Sequence, residues 1–188
     1  MEHMFYETIV RNLPREESLK HHLKIYNGNI PFWVLVEHLT LGNISSFVNY
    51  LDRSWRKDWI DEKMKLDDGE LICGPRQIPE WINSLRILRN VCAHMGRLYT
   101  RTFPFRVNFD KVKTIGSLEL NSNKFKQSIF CALFIIRRFY LFLSVERRTE
   151  WNIFVEKLAN KIESFHIDIS QRSQEGVETF NIEEWIIE

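Results

Sequence analysis

Hydrophobic residues recur at helical spacing along most of the chain. Phe5, Ile9 and Leu13 lie four residues apart, and residues 121–145 carry a longer apolar series at spacings of three and four. Such spacing places the apolar side chains on one face of a helix. The sequence shows no strand-like alternation, internal repeat or Gly-rich phosphate loop. The pattern therefore predicts an all-α bundle.

Proline, glycine and polar clusters divide this pattern into successive elements. Seven of the predicted helices span residues 2–13, 16–26, 32–40, 55–65, 79–101, 121–145 and 149–162. Another is capped by Asn43 or Ser45 and runs to Leu51. A break is expected at Leu41-Gly42. Residues 1–165 are predicted to form the bundle. Residues 166–188 are predicted to form a partly mobile C-terminal tail, whose last turn docks through Trp185.

The segment from Trp81 to Arg101 has two distinct sides when it is drawn as a helix. At about 100° per residue, one arc of about 140° holds only polar side chains. These are Arg86, Arg89, Asn90, His94, Arg97 and Arg101, and the other side holds Trp81, Leu85, Leu88, Val91, Cys92, Met95 and Leu98. The sequence therefore predicts one helix with a core face and a basic face.

The basic face has no acid nearby to neutralise it. From Trp81 to Phe109 the chain has five arginines and no Asp, Glu or Lys. A solvated face normally mixes Glu and Lys in i,i+4 pairs, so an ordinary solvated face is the less fitting alternative. Arginine without lysine favours bidentate binding of an oxyanion such as phosphate.

Two further contacts are expected around this face. Asn90 and His94 lie four residues apart, so the amide can bond one ring nitrogen and set the tautomer. Glu37 is the one acid of the apolar segment 32–40, which is predicted to be buried. A buried carboxylate needs a partner, and an arginine of the basic face is the candidate.

Composition excludes several classes of protein. A formal net charge of +1 excludes a polybasic nucleic-acid coat, and 44% hydrophobic with 13% aromatic residues argues against disorder. Cys73, Cys92 and Cys131 lack paired metal spacing, which favours free thiols in a reducing cytoplasm. No signal peptide or membrane-spanning apolar run is visible. No metal or cofactor site is predicted.

Two sequence blocks carry a resemblance to a known family. Arg89-Asn90-Val91-Cys92-Ala93-His94 is an R-N-x-x-x-H hexapeptide, a form of the R-x4-6-H motif of the HEPN superfamily. Residues 85–101 resemble the Abi-like (AbiD/AbiF) abortive-infection family, and residues 31–45 resemble its upstream motif, in the right order and separation. The family usually has His and Asn where this chain has Met95 and Thr100. This chain also looks shorter at its N-terminal side.

The resemblance implies a HEPN-like bundle that cleaves RNA without a metal, in phage defence or as a toxin. Arg89, Asn90 and His94 then become the catalytic residues. Arg86, Arg97 and Arg101 bind RNA phosphates, and Glu37 supports them. A homodimer would bring two such motifs together, and an antitoxin or a regulatory RNA is a further possible partner.

Two alternatives belong to other classes of function. A HEPN module without activity would bind RNA and leave it intact. A purely structural helical interaction protein would have no RNA affinity.

Overall fold

The computed structural model describes residues 1–66, 69–98, 101–110, 112–115, 118–164 and 182–187. Within these ranges the regular secondary structure is helical, apart from one isolated antiparallel bridge between Lys65 and Leu71. The predicted all-α class is therefore confirmed. The chain forms two compact units, residues 1–52 and 53–188, a boundary that the sequence pattern did not predict.

The first unit contains four helices around a small aromatic cluster. They are α1 (Glu2–Asn12), α2 (Glu17–Ile25), α3 (Phe32–Val36) and α4 (Leu41–Tyr50). The Phe32 ring stacks on Phe47 with centroids 4.9 Å apart, and Phe5 lies 5.9 Å from Phe47. Leu19 is fully buried beside this framework. The spacing of apolar residues located α1 and α2 to within one residue at each end.

The predicted buried helix from residue 32 to residue 40 is wrong. α3 has only five residues, and Phe32 and Trp33 are exposed. Thr40 instead begins α4: its hydroxyl accepts a hydrogen bond from the Asn43 N–H at 3.1 Å, and the Asn43 side chain accepts one from the Thr40 N–H at 3.0 Å. This capping box starts a new helix, so Gly42 lies in its first turn and does not break it.

The second unit contains six helices in the described ranges. They are α5 (Arg53–Lys63), α6 (Gln77–Ala93), α7 (Asn123–Lys126), α8 (Ile129–Leu141), α9 (Val145–Ser164) and α10 (Ile182–Trp185). Its core is aromatic: the Phe109 ring lies 5.6 Å from Trp81 and 5.4 Å from Phe134. The core side of α6 is therefore held against α8 by side chains from three parts of the chain.

The predicted continuous helix over 121–145 is divided into α7 and α8. At the break, the Gln127 carbonyl accepts a hydrogen bond from the Phe103 N–H at 2.8 Å. The Ser128 hydroxyl donates to the Phe125 carbonyl at 2.8 Å. Both carbonyls are thus satisfied outside a continuous helix, which allows the chain to turn between α7 and α8.

The segment from Phe103 to Phe109 has no regular secondary structure, and its burial alternates with the period of 2 that an extended segment shows. Its odd-numbered residues Phe103, Phe105, Val107 and Phe109 are buried, and the intervening residues Pro104, Arg106 and Asn108 are exposed. The Asn108 carbonyl accepts hydrogen bonds from Gln77 Nε2 at 3.0 Å and Trp81 Nε1 at 3.4 Å. The expected absence of strand-like alternation is therefore wrong for this segment, whose apolar residues occupy every second position in the sequence.

The last described residues are docked on α8 and α9. Trp185 is 2% exposed, and its carbonyl accepts hydrogen bonds from Trp151 Nε1 at 2.8 Å and Arg137 Nε at 3.1 Å. Asn152 exchanges two hydrogen bonds of 2.8 Å with the backbone of Ile187. The predicted docking through Trp185 is confirmed. Residues 165–181, most of the predicted mobile tail, lie outside the described residues.

No helix in the described ranges combines the length and apolarity needed to cross a membrane.

Candidate functional site

α6 presents opposite faces to the core and to solvent. Trp81, Ser84 and Leu88 are buried, whereas Arg89 is exposed. At about 100° per residue, Arg89 lies on the side of α6 away from these buried residues. The predicted division of α6 into a core face and a basic face is therefore confirmed for Trp81, Leu88 and Arg89. Pro79 lies in the first turn, where a proline is tolerated.

The predicted helix over 79–101 ends earlier than expected, at Ala93. His94 is the C-cap, and Met95 has a left-handed backbone with φ of 52°. The Gly96 N–H donates to the Val91 carbonyl at 2.7 Å, and the Met95 N–H donates to the Cys92 carbonyl at 3.0 Å. These two hydrogen bonds form a Schellman motif. The exposed imidazole of His94 is therefore held at the end of α6 by backbone hydrogen bonds.

Arg97 and Arg101 do not share the helical face predicted for them, because both follow the end of α6. Cys92 and Met95 were assigned to the core, and this is also wrong. Cys92 is exposed, and Met95 is 97% exposed. The left-handed residue redirects the chain at Met95, so helical periodicity does not apply beyond His94. Cys92 still belongs to α6, and nothing in the structure explains its exposure.

Gly96 lets Arg101 return towards the end of α6. A Cβ atom at Gly96 would lie 2.8 Å from Val91 Cγ1 and 3.6 Å from Arg101 Nη1. The guanidinium of Arg101 also lies 6.0 Å from the centroid of the Phe103 ring. The close turn therefore brings the Arg101 side chain back towards the end of α6, which His94 caps. The sequence had predicted that Arg101 would reach this position as a residue of the same helix, whereas in the structure it does so from the segment after the turn.

Replacing Met95 with glycine is expected to stabilise the protein by about 0.5–1 kcal/mol, because glycine adopts the left-handed region without a Cβ penalty. Met95 is almost fully exposed, so little packing is lost. Chemical denaturation measures the free energy of unfolding. Ala93→Gly, in the last turn of α6, is the matched control and should destabilise by a similar amount. A loss of stability for both variants would contradict this account of Met95.

The polar side chains of α6 are linked in two local pairs. Arg89 Nη1 donates to Asn90 Oδ1 at 3.3 Å, and Arg86 Nε donates to Asn83 Oδ1 at 3.0 Å. The expected side-chain bond between Asn90 and His94 is not found in the described part of the chain. Asn90 thus orients Arg89 through its amide oxygen, while the His94 N–H bonds the Asn90 carbonyl at 3.1 Å through the backbone.

Glu37 is not the buried carboxylate that the sequence predicted. It is the C-cap of the short helix α3 in the first unit, and it is exposed. Because the apolar segment does not continue as a buried helix, burial does not force Glu37 to pair with an arginine. The expectation of a buried supporting residue is wrong.

The end of α6 combines two functional groups suited to phosphate chemistry. Arg89 offers an exposed guanidinium fork, and His94, five residues or about 1.4 turns further along, offers an exposed imidazole. The guanidinium can bind a phosphate through two parallel hydrogen bonds, and the imidazole can accept or donate a proton. Among the described residues, no cluster of three or more His, Cys, Asp or Glu side chains is placed to hold a metal ion.

The chain matches the family model described as Abi-like protein over residues 2–100, just over half of its 188 residues. It therefore belongs to the Abi-like family, and membership associates it with abortive infection, a form of phage defence. The matched range includes Arg89 and His94 and ends before Arg101. No curated protein and no solved structure matches the chain.

Proposed function

We propose that the chain is a HEPN-type endoribonuclease that acts in abortive infection or as a toxin and requires no metal ion. The observation that carries this proposal is the exposed Arg89 and His94 pair at the end of α6. It lies in a stretch, residues 81–109, that has five arginines and no acidic residue. Membership of the Abi-like family supports the assignment to phage defence.

In the proposed reaction, a ribose 2′-hydroxyl attacks the adjacent phosphorus atom. One imidazole accepts the hydroxyl proton, and an imidazolium donates a proton to the departing 5′-oxygen. The P–O5′ bond breaks as the new P–O2′ bond forms, which leaves a 2′,3′-cyclic phosphate and a 5′-hydroxyl. Arg89 stabilises the additional negative charge on the phosphate oxygens in the transition state. Arg86, Arg97 and Arg101 bind neighbouring phosphates.

The two proton transfers favour a homodimer as the active species. Each chain supplies one motif histidine, His94, and a single imidazole does not easily serve as base and acid in the same step. Two motifs facing one another would supply two histidines and two arginines to one phosphate. An antitoxin or regulatory RNA would control this dimer.

An inactive RNA-binding module is the second candidate. It is favoured by the lack of a side-chain hydrogen bond to the His94 ring among the described residues, since catalytic imidazoles are usually oriented by a partner. Such a module would retain the arginine surface and its phosphate affinity. It would not cleave RNA.

Incubation of the purified chain with total RNA in EDTA should generate fragments with cyclic phosphate ends. Activity per chain should rise with protein concentration and follow the dimer fraction measured by light scattering, because two motifs form one site. Intact RNA that nevertheless binds would favour the inactive module. Cleavage by a strict monomer would contradict the shared site and leave the nuclease assignment standing.

A further inference from the structure

The second unit contains an open cleft of about 270 Å³ near the start of α6. Arg106 and Lys126 contribute cations to its lining, Glu80 contributes a carboxylate, and Asn123 and Gln127 contribute amides. Arg106 belongs to the arginine-rich stretch, but it lies outside the R-x4-H motif. The proposed nuclease chemistry leaves this cleft unexplained.

The extended segment fixes the direction of Arg106. Its neighbours Phe105 and Val107 are buried, and successive side chains of an extended segment point to opposite sides. Arg106 therefore points away from the core without needing a partner to hold it. Lys126 approaches from α7 and is half-buried, so the cleft joins two cations from separate elements.

Glu80 limits the charge of the ligand that this cleft can hold. Arg106, Lys126 and Glu80 together have a net charge of +1, which matches one phosphodiester better than a polyphosphate. Burial raises the pKa of Glu80 above its ordinary value, and the Asn108 backbone hydrogen bond and the Lys126 charge offset part of this rise. The amides of Asn123 and Gln127 add neutral donors and acceptors beside the cations.

The cleft and the His94 end lie along the same strip of α6. Glu80, Asn83, Asn90 and His94 fall within an arc of roughly 80° at 100° per residue. Fourteen residues separate Glu80 from His94, which corresponds to about 21 Å along the helix axis. Arg86 lies between them, about 40° beyond the edge of this arc, and Arg89 lies about 100° beyond the same edge. An RNA strand on this strip would therefore pass Arg86 between the cleft and His94.

We propose that the Arg106–Lys126 cleft binds one backbone phosphate of an RNA strand, several nucleotides away from the bond that is cut at His94. The proposal rests on the proposed ribonuclease function and adds a second, remote contact to it. The ligand class is single-stranded RNA held through its phosphodiester backbone. The cleft then sets how long a substrate must be to bind fully.

The test uses the full chain with His94→Ala, so that RNA is bound and not cut. Binding of a 12-nucleotide oligouridine is measured by fluorescence anisotropy at several salt concentrations. Arg106→Gln should reduce the slope of log K against log salt by about 0.7, the value for one phosphate contact on a single strand. Adding Lys126→Gln should reduce the slope further, and both variants should bind more weakly at low salt.

Arg147→Gln with Lys157→Gln is the control, because it removes the same charge from exposed positions on α9. Its slope should equal that of the parent. Arg106 is exposed, so its single variant should fold normally, and unfolding midpoints check this. Equal slopes for cleft and control variants, or no binding of the 12-mer, would overturn the cleft proposal. Cleavage by the unsubstituted chain is scored separately, so the nuclease proposal fails only if that chain leaves RNA intact.

Discussion

His94→Ala is expected to abolish RNA cleavage and leave RNA affinity nearly unchanged. The imidazole is the group at the end of α6 that can both accept and donate a proton, so its loss removes the proton transfers of the proposed reaction. A neutral imidazole adds little attraction to phosphate, whereas the surrounding arginines are retained. The structure adds that His94 is an exposed C-cap, so alanine should leave the fold intact.

Single-turnover cleavage and equilibrium binding of the same RNA measure these two effects separately. His3→Ala is a matched control, because His3 is also exposed, in α1, and contacts the exposed Glu7 at 3.5 Å. It should cleave at the parental rate. If His94→Ala cleaves as fast as His3→Ala, α6 is at most a binding surface and the inactive-module alternative is favoured.

Helices that depend on local spacing were predictable from the sequence. α1 and α2 follow their apolar residues, and their ends lie within one residue of the predicted ones. The break between α7 and α8 depends on the hydrogen bond from Phe103 to Gln127, which joins residues distant in sequence. The start of α4 depends on a Thr40–Asn43 box that uses Asn in place of the usual Glu or Gln. The spacing of apolar residues carries no information about these contacts, so it could not predict either boundary.

The candidate site could be predicted from the sequence for the residues that lie within the regular part of α6. The positions of Arg89 and Asn90 on α6 follow from the spacing, and the roles proposed for them stay predictions. The turn after His94 was missed because Met95 adopts a left-handed backbone that is rare for residues other than glycine. Gly96 was the available signal, since glycine often ends a helix. The exposed position of Glu37 depends on the early end of α3, which the sequence also missed.

Arg89→Ala is expected to slow cleavage by roughly a hundredfold or more, the typical effect of removing one fixed donor to a developing oxyanion. Arg89→Lys should remain badly impaired, because lysine retains the charge but not the planar fork. Among the described residues, Arg89 Nη1 donates to Asn90 Oδ1 at 3.3 Å, which orients the guanidinium. A lysine cannot bond the amide and present two parallel donors to phosphate.

Single-turnover rates for Arg89→Lys are compared with those for Arg101→Ala, which removes a full charge from the loop beyond α6. Arg101→Ala should weaken binding and flatten its salt dependence, since one phosphate contact is lost. At saturating protein, Arg101→Ala should therefore recover most of its cleavage rate, and Arg89→Lys should not. If Arg89→Lys instead cleaves at the parental rate once RNA is saturated, Arg89 acts only as a cation for binding, and the stabilisation of the transition state must come from another residue.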